Sequence, residues 1–242
     1  MIPRKEGGSL HYRYIIFDVD DTLIDYQKAE RNVFARILAD YALPMDDALF
    51  DELLDISWDE WARSGLRDLC DPAVLDDYHP RYRRYLQDFF ARFAKRLELP
   101  FDGEEGRARF LSYFAREREP VAGAVTVCQT LSRRCRLAAA TNGLIETQQV
   151  RIEPLMGYLD RLFISEALGY IKPDPRFFQK MLGLLGAKAS DCLMVGDSLH
   201  TDIKGACACG MDSCWLNPAG RPSKEGLAPT YTITRLQELL TL

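Results

Sequence analysis

The chain has 242 residues, 47% of them hydrophobic and 28% charged, with 31 Lys and Arg against 36 Asp and Glu. That composition excludes a disordered or fibrous chain, and a prior of about 150 residues per domain gives one large or two small domains. A net charge of −5 leaves no basic stripe for nucleic acid or anionic lipid, so any anion must be bound locally, by a metal or a few placed donors.

The first segment, Met1 to Tyr14, carries Arg4, Lys5 and two glycines without an apolar centre, and is not expected to be a signal peptide. Tyr14-Ile15-Ile16-Phe17 follows as a short, wholly apolar run that stops at Asp18-Val19-Asp20-Asp21. A run apolar on both faces suits a central parallel strand covered by helices. From Tyr26 to about Arg118 the texture is helical. Ala29, Val33, Phe34, Ile37, Leu38 and Tyr41 recur at helical spacing. Leu49, Phe50, Leu53, Leu54 and Trp61 do so after Asp46-Asp47, a predicted N-cap. Asp71-Pro72 reads as a cap followed by proline at the first helical position. Tyr82, Tyr85, Leu86, Phe89, Phe90, Phe93 and Leu97 form the cleanest amphipathic stripe, and Phe110, Leu111 and Phe114 close the block.

After Pro120 helices alternate with short apolar strands. The predicted helices cover 122–133, 146–156, 175–185 and 201–209; the strands are Leu137–Ala140, about 162–165, Cys192–Val195 and Ser213–Leu216. Pro218 to Pro229 reads as a loop. This order predicts a doubly wound α/β core with a parallel, Rossmann-like sheet, built from residues 1–25 and 119–242. Residues 26–118 would be an all-helical cap domain inserted after the first strand. No run approaches the roughly 18 apolar residues of a spanning helix. The seven cysteines make no metal pattern, Cys207 and Cys209 included; Cys128, Cys135, Cys192 and Cys214 sit in apolar runs and read as core thiols, and so many unpaired thiols suit a reducing, cytoplasmic compartment.

Ligands of doubly wound sheets bind beyond the carboxyl ends of the strands. The polar residues there are Asp18, Asp20 and Asp21 after the first strand, then Thr141, Asn142 and Gly143 after the second. Gly196, Asp197, Ser198 and Asp202 follow the strand ending at Val195, and Lys172 lies in the loop before the helix at Pro175. Taken singly, each is an ordinary turn, a helix cap or a solvated lysine. Together, with Asp21 set aside as structural, Asp18, Asp20, Asp197 and Asp202 place four carboxylates on one sheet edge beside the Thr141 hydroxyl and Lys172. Acids so crowded repel unless a cation neutralises them, and hard oxygen ligands suit Mg²⁺.

Phe17-Asp18-Val19-Asp20-Asp21-Thr22-Leu23 resembles the first signature, D-x-D-x-T, of the haloacid dehalogenase superfamily. Thr141-Asn142-Gly143, Lys172-Pro173-Asp174 and Val195 through Asp202 resemble the second, third and fourth, and the helical insertion resembles the family's cap. The resemblance implies that Asp18 is the nucleophile and Asp20 the general acid/base. Thr141 and Lys172 would hold the phosphoryl oxygens, with Val19 N–H, Asn142 and Gly143 at the substrate. Mg²⁺ would be held by Asp18, the carbonyl of Asp20 and Asp197, with Asp202 ordering the metal shell or Lys172.

Those residue types also make chemical sense by themselves. A neutralised carboxylate is a competent nucleophile toward phosphorus, and two aspartates two positions apart at a strand end point the same way. Asp21 is expected to face the other side, and Asp25 to cap the next helix. Dehalogenase members generally lack the second aspartate of the first signature, so Asp20 points to phosphate chemistry. The segments Leu193–Lys204, Gly210–Asn217 and Tyr231–Thr234 resemble the branch of 5′-nucleotidases acting on pyrimidine and noncanonical nucleoside monophosphates. A phosphatase or phosphomutase for sugar phosphates or other small metabolites is the alternative; a dead sensor on the same fold would require eroded signatures. The expected partner is a small phosphate monoester, for a monomer or homodimer. The cap aromatics Trp58, Trp61, Tyr78, Tyr82, Tyr85, Phe89 and Phe90 could stack a base or simply fill the cap's own core.

Overall fold

The computed structural model describes residues 11–223 and 226–242; residues 1–10, most of the segment read above against a signal peptide, lie outside the described residues. In chain order the elements are β1 (Tyr14–Phe17), α1 (Tyr26–Ala39), α2 (Asp47–Ser64), α3 (Pro72–Asp76), α4 (Tyr78–Arg96) and α5 (Gly103–Phe114). Then come α6 (Ala124–Leu131), β2 (Arg136–Thr141), α7 (Ile145–Arg151), β3 (Arg161–Ile164), α8 (Ser165–Leu168) and α9 (Pro175–Leu185). The chain continues through β4 (Cys192–Gly196), α10 (Lys204–Ala208), β5 (Asp212–Leu216) and β6 (Tyr231–Ile233).

All six strands are parallel, in the order β3-β2-β1-β4-β5-β6. Both faces of β1 are buried, which is why its sequence is an unbroken apolar run. Ile15 and Phe17 pack with α6 and the C-terminal turn of 3₁₀-helix, while Tyr14 and Ile16 pack with α9 and Met194. The direction of winding reverses at β1, since β2 and β3 lie to one side and β4 to β6 to the other. Phe17 is level with Ala139 of β2 and Val195 of β4. The residues one and two further on therefore share the crevice at the switch point.

Helices α1 to α5 form a separate hydrophobic cluster. Asp25, Asp46, Asp71 and Asp102 accept backbone hydrogen bonds at the starts of α1, α2, α3 and α5, so local capping sets those starts. The cluster centres on Phe34, whose ring lies 5.5 Å from Phe89, 5.9 Å from Phe93 and 6.2 Å from Phe110. Phe89 and Phe90 are thus core residues, whereas Trp58 is 67% exposed. No helix among the described residues is long and apolar enough to cross a membrane.

Two predicted helices are broken. The one expected over 146–156 stops at Arg151, and a 3₁₀ turn, Glu153–Tyr158, takes over around Pro154, because proline lacks the donor a continuing α-helix needs. The one expected over 201–209 begins as a π-helical turn, Leu199–Ile203. The loop after Pro218 also leads into a sixth strand, Tyr231–Ile233, whose three residues were too short a run to read as a strand.

Candidate active site

Asp18 follows β1 directly, and its N–H donates to Val195 O of β4 at 2.8 Å. Lys172, only 1% exposed, reaches it from the loop between α8 and α9. Its Nζ donates to Asp18 Oδ1 at 2.5 Å, Asp202 Oδ1 at 2.7 Å and Ala140 O at 2.8 Å. All three ammonium donors are thereby satisfied inside the protein. Burial by itself would lower the lysine's pKa; Asp18 and Asp202 more than reverse that and hold it above its ordinary value.

The loop is pinned by Asn142. Its side-chain amide donates to Lys172 O and accepts from Lys172 N, both at 2.7 Å. The side chain of Asn142 therefore positions Lys172. Thr141 is buried at the end of β2, its Oγ1 accepting from Gly143 N at 3.2 Å. Val19 turns its side chain into the core beneath the sheet. Its N–H has no acceptor among the described residues, while its carbonyl accepts from Leu23 and Ile24.

Asp18, Asp197 and Asp202 bring one carboxylate oxygen each to within 4.8 Å of one another. Burial pushes Asp18 well above the usual carboxylate range, and repulsion from Asp202 and Asp197 adds to this, against the pull of Lys172. Asp197 is pushed up to about 7, first by burial and then by the charges of Asp202 and Asp21. Were all three carboxylates ionised, the one ammonium they face would leave two negative charges uncompensated. A divalent cation with oxygen preference fits that deficit. Asp202 has less to offer it, because its Oδ1 takes Lys172 and its Oδ2 accepts from Ser198 N at 3.2 Å. The close approach of Asp202 also explains Gly196, where an added Cβ would lie 2.1 Å from Asp202 Oδ2.

Asp20 lies apart from this cluster. Its two oxygens accept from Gln148 Nε2 at 2.7 Å and from the guanidinium of Arg151. Both partners belong to α7, and neither was singled out in the sequence. Arg151 is fully buried, with its guanidinium 3.9 Å from the centre of the Phe114 ring and its Nε donating to Glu117 O at 2.9 Å. The available signal was weak, an i, i+3 pair of Gln and Arg in a short polar helix. Asp21 adopts a positive φ of 56° and accepts from the N–H groups of Tyr26 and Gln27, while Asp25 caps α1. Asp21 thus uses its carboxylate to hold the start of α1.

A family model for haloacid dehalogenase-like hydrolases matches residues 12–210. The chain belongs to this family of hydrolases. It is 31% identical over 237 residues to the pyrimidine 5′-nucleotidase YjjG of Escherichia coli (strain K12), covering 95% of this chain and 97% of that one. The pyrimidine 5′-nucleotidase PynA of Streptococcus pneumoniae is 29% identical over 235 residues, covering 96% and 94%. The crystal structure of the HAD-hydrolase YfnB from Bacillus subtilis, bound to magnesium, superposes with a TM-score of 0.81 at 27% identity, covering 95% and 97%. The hydrolase thus matches these relatives along nearly its whole length, helical insert included.

His79 lies at the start of α4. It carries the insert onto the core, with Nε2 hydrogen-bonded to Ser165 Oγ at 2.7 Å. The seven cysteines are all free thiols, three of them buried.

Proposed function

We propose that this hydrolase is a Mg²⁺-dependent phosphomonoesterase acting through an aspartyl phosphate, with nucleoside 5′-monophosphates, pyrimidines among them, as substrates. The observation that carries the reading is the placement of Asp18 at the switch point, gripped by a buried lysine, with a second aspartate two positions later. Residues 26–118 would act as the cap over a core of residues 1–25 and 119–242, in a chain working in the cytoplasm.

Asp18, Asp197 and the backbone carbonyl of Asp20 would hold the ion, and Asp202 would act through Lys172. When bound, the ion supplies positive charge that offsets the carboxylates and the phosphoryl oxygens. An Asp18 oxygen attacks phosphorus, forming a P–O bond as the bond to the ester oxygen breaks. Asp20 delivers a proton to that oxygen, which leaves as the alcohol. Thr141, Lys172 and the N–H of Val19 position the phosphoryl oxygens. Water then attacks phosphorus, Asp20 takes its proton, and phosphate departs as Asp18 is regenerated.

The test is phosphate release across pyrimidine and purine nucleoside monophosphates, sugar phosphates and p-nitrophenyl phosphate, with hexose phosphate isomerisation run alongside. Activity should need Mg²⁺ or Mn²⁺, vanish after verified metal removal, and be suppressed by Ca²⁺, which prefers more ligands. Nucleotides should exceed sugar phosphates at least tenfold in kcat/KM, about 1.4 kcal/mol of differential transition-state binding. Full turnover in excess chelator would overturn the metal assignment, and a sugar phosphate winning by tenfold would overturn the substrate.

A further inference from the structure

One face of α4 presents Tyr78, Tyr82 and Tyr85 at positions i, i+4 and i+7. Tyr78 and Tyr82 are stacked, with ring centres 6.3 Å apart and planes 3° from parallel, and Trp61 meets Tyr85 edge-on at 5.2 Å. Tyr26 meets Phe114 edge-on at 5.5 Å, and Phe114 carries the guanidinium of Arg151 that grips Asp20. Tyr78 shares an apolar cluster with Leu144 and Ile171, which adjoin Gly143 and Lys172. The tyrosine face thus adjoins the elements that hold Asp20 and Lys172, while Tyr78 and Tyr85 also pack in the insert's own core. The hydroxyl of Tyr85 is held by Ser57 Oγ at 2.6 Å. Those of Tyr78 and Tyr82 have no hydrogen-bond partner among the described residues.

Glu30, on the second turn of α1, shares this surface. Its charge is felt by Tyr26, Tyr82 and Tyr85. Its Oε1 accepts from Tyr26 OH at 3.2 Å, and its Oε2 has no partner among the described residues. A carboxyl half-buried among aromatic rings, without a cationic partner, is costly for the fold to keep unless it does something there.

We propose that Glu30, flanked by Tyr26 and Tyr82, is the specificity-determining residue that reads the leaving group, namely the hydrogen-bonding edge of the base if the nucleotide reading above holds. Burial pushes its carboxyl up to about 7, so a large fraction is neutral at physiological pH. A neutral carboxyl presents a donor and an acceptor side by side. Its proton can sit on either oxygen, so it complements both the N–H/C=O edge of uracil and the N/NH₂ edge of cytosine. The tyrosine faces supply the apolar stacking surface that a planar base needs.

The experiment compares kcat/KM for uridine 5′-monophosphate and ribose 5-phosphate, which differ by the base, in wild type, Glu30→Ala and Glu30→Gln. The ratio of the two should fall at least tenfold in Glu30→Ala, mainly through KM for the nucleotide. It should stay within threefold of wild type in Glu30→Gln, which keeps a donor beside an acceptor. A purely structural role would change both substrates together and leave the ratio alone. A ratio in Glu30→Ala within threefold of wild type overturns the proposal. If Glu30→Ala fails to fold, Glu30→Met, of matching length without a hydrogen-bonding head, serves as the same test. If wild type prefers ribose 5-phosphate, the nucleotide reading fails separately, and Glu30 stands or falls on the same tenfold and threefold limits for ribose 5-phosphate against p-nitrophenyl phosphate.

Discussion

Asp18 and Asp20 are two residues apart yet sit in different surroundings. Asp18 is 8% exposed and bound to Lys172, whereas Asp20 is partly exposed and tied to Gln148 and Arg151. The difference suits different tasks. Asp18→Asn should abolish turnover of every phosphate ester, because an amide cannot form the acyl phosphate. On the proposed roles, Asp20→Asn would keep the nucleophile but lose the proton donor, so hydrolysis of an alkyl ester should slow by about 10²–10⁴-fold. With p-nitrophenyl phosphate, whose leaving group needs little protonation, Asp20→Asn should give a burst and trapped phosphoenzyme. A burst from Asp18→Asn, or equal loss of both substrates by Asp20→Asn with nothing trapped, would reverse the assignment.

Among the elements, α4 and α5 pack closely through small residues. A Cβ added at Gly103 would lie 2.1 Å from the carbonyl oxygen of Gln87 and 3.1 Å from Ala91 Cβ. The obstacle is backbone, which cannot swing aside as a flexible side chain would. Gly103→Ala should therefore cost about 1–3 kcal/mol, the range for overpacking. In a chain of this size that lowers Tm by roughly 3–10 °C, measurable by calorimetry. Gly183→Ala in α9, where nothing lies within 4 Å of the added carbon, should leave Tm unchanged or raise it, since alanine is the better helix former. Equal effects at the two positions would show that space at the α4–α5 contact is not what selects glycine.

At the scale of the whole molecule, ion pairs join the insert to the core. Arg83 of α4 pairs with Glu166 of α8 at 2.5 Å and with Glu146 of α7 at 3.0 Å, while Arg176 of α9 pairs with Asp76 of α3 at 2.9 Å. These are partly exposed, so each contributes at most about 1 kcal/mol to stability. Their weight falls instead on how the insert is seated against α7, α8 and α9. Arg83→Ala should leave Tm within about 3 °C of wild type and raise KM severalfold. Because salt screens such pairs, 0.5 M salt should raise KM in wild type more than in the variant. A KM that is unaltered at both ionic strengths would show that the Arg83 pairs do not hold the insert in its working position.

Local signals carried much of the fold and of the site. The apolar run of β1, the helix-strand alternation after Pro120 and the aspartate caps at 25, 46 and 71 each depend on neighbours a few residues away, so the chain order exposes them. The strand ends also gather Asp18, Thr141, Asp197 and Asp202, because a parallel sheet brings its carboxyl ends to one edge whatever the loops do. Tertiary structure decided the rest. Only the packing of α7 against Asp20 reveals Arg151 and Gln148, which are 131 and 128 residues away in sequence. Only the approach of Lys172 shows that Asn142 holds a loop, and only the packing of the helices separates the exposed Trp58 from the core aromatics Phe89 and Phe90. The physical reason is that helical periodicity marks which face is buried, whereas what it is buried against depends on contacts distant in sequence.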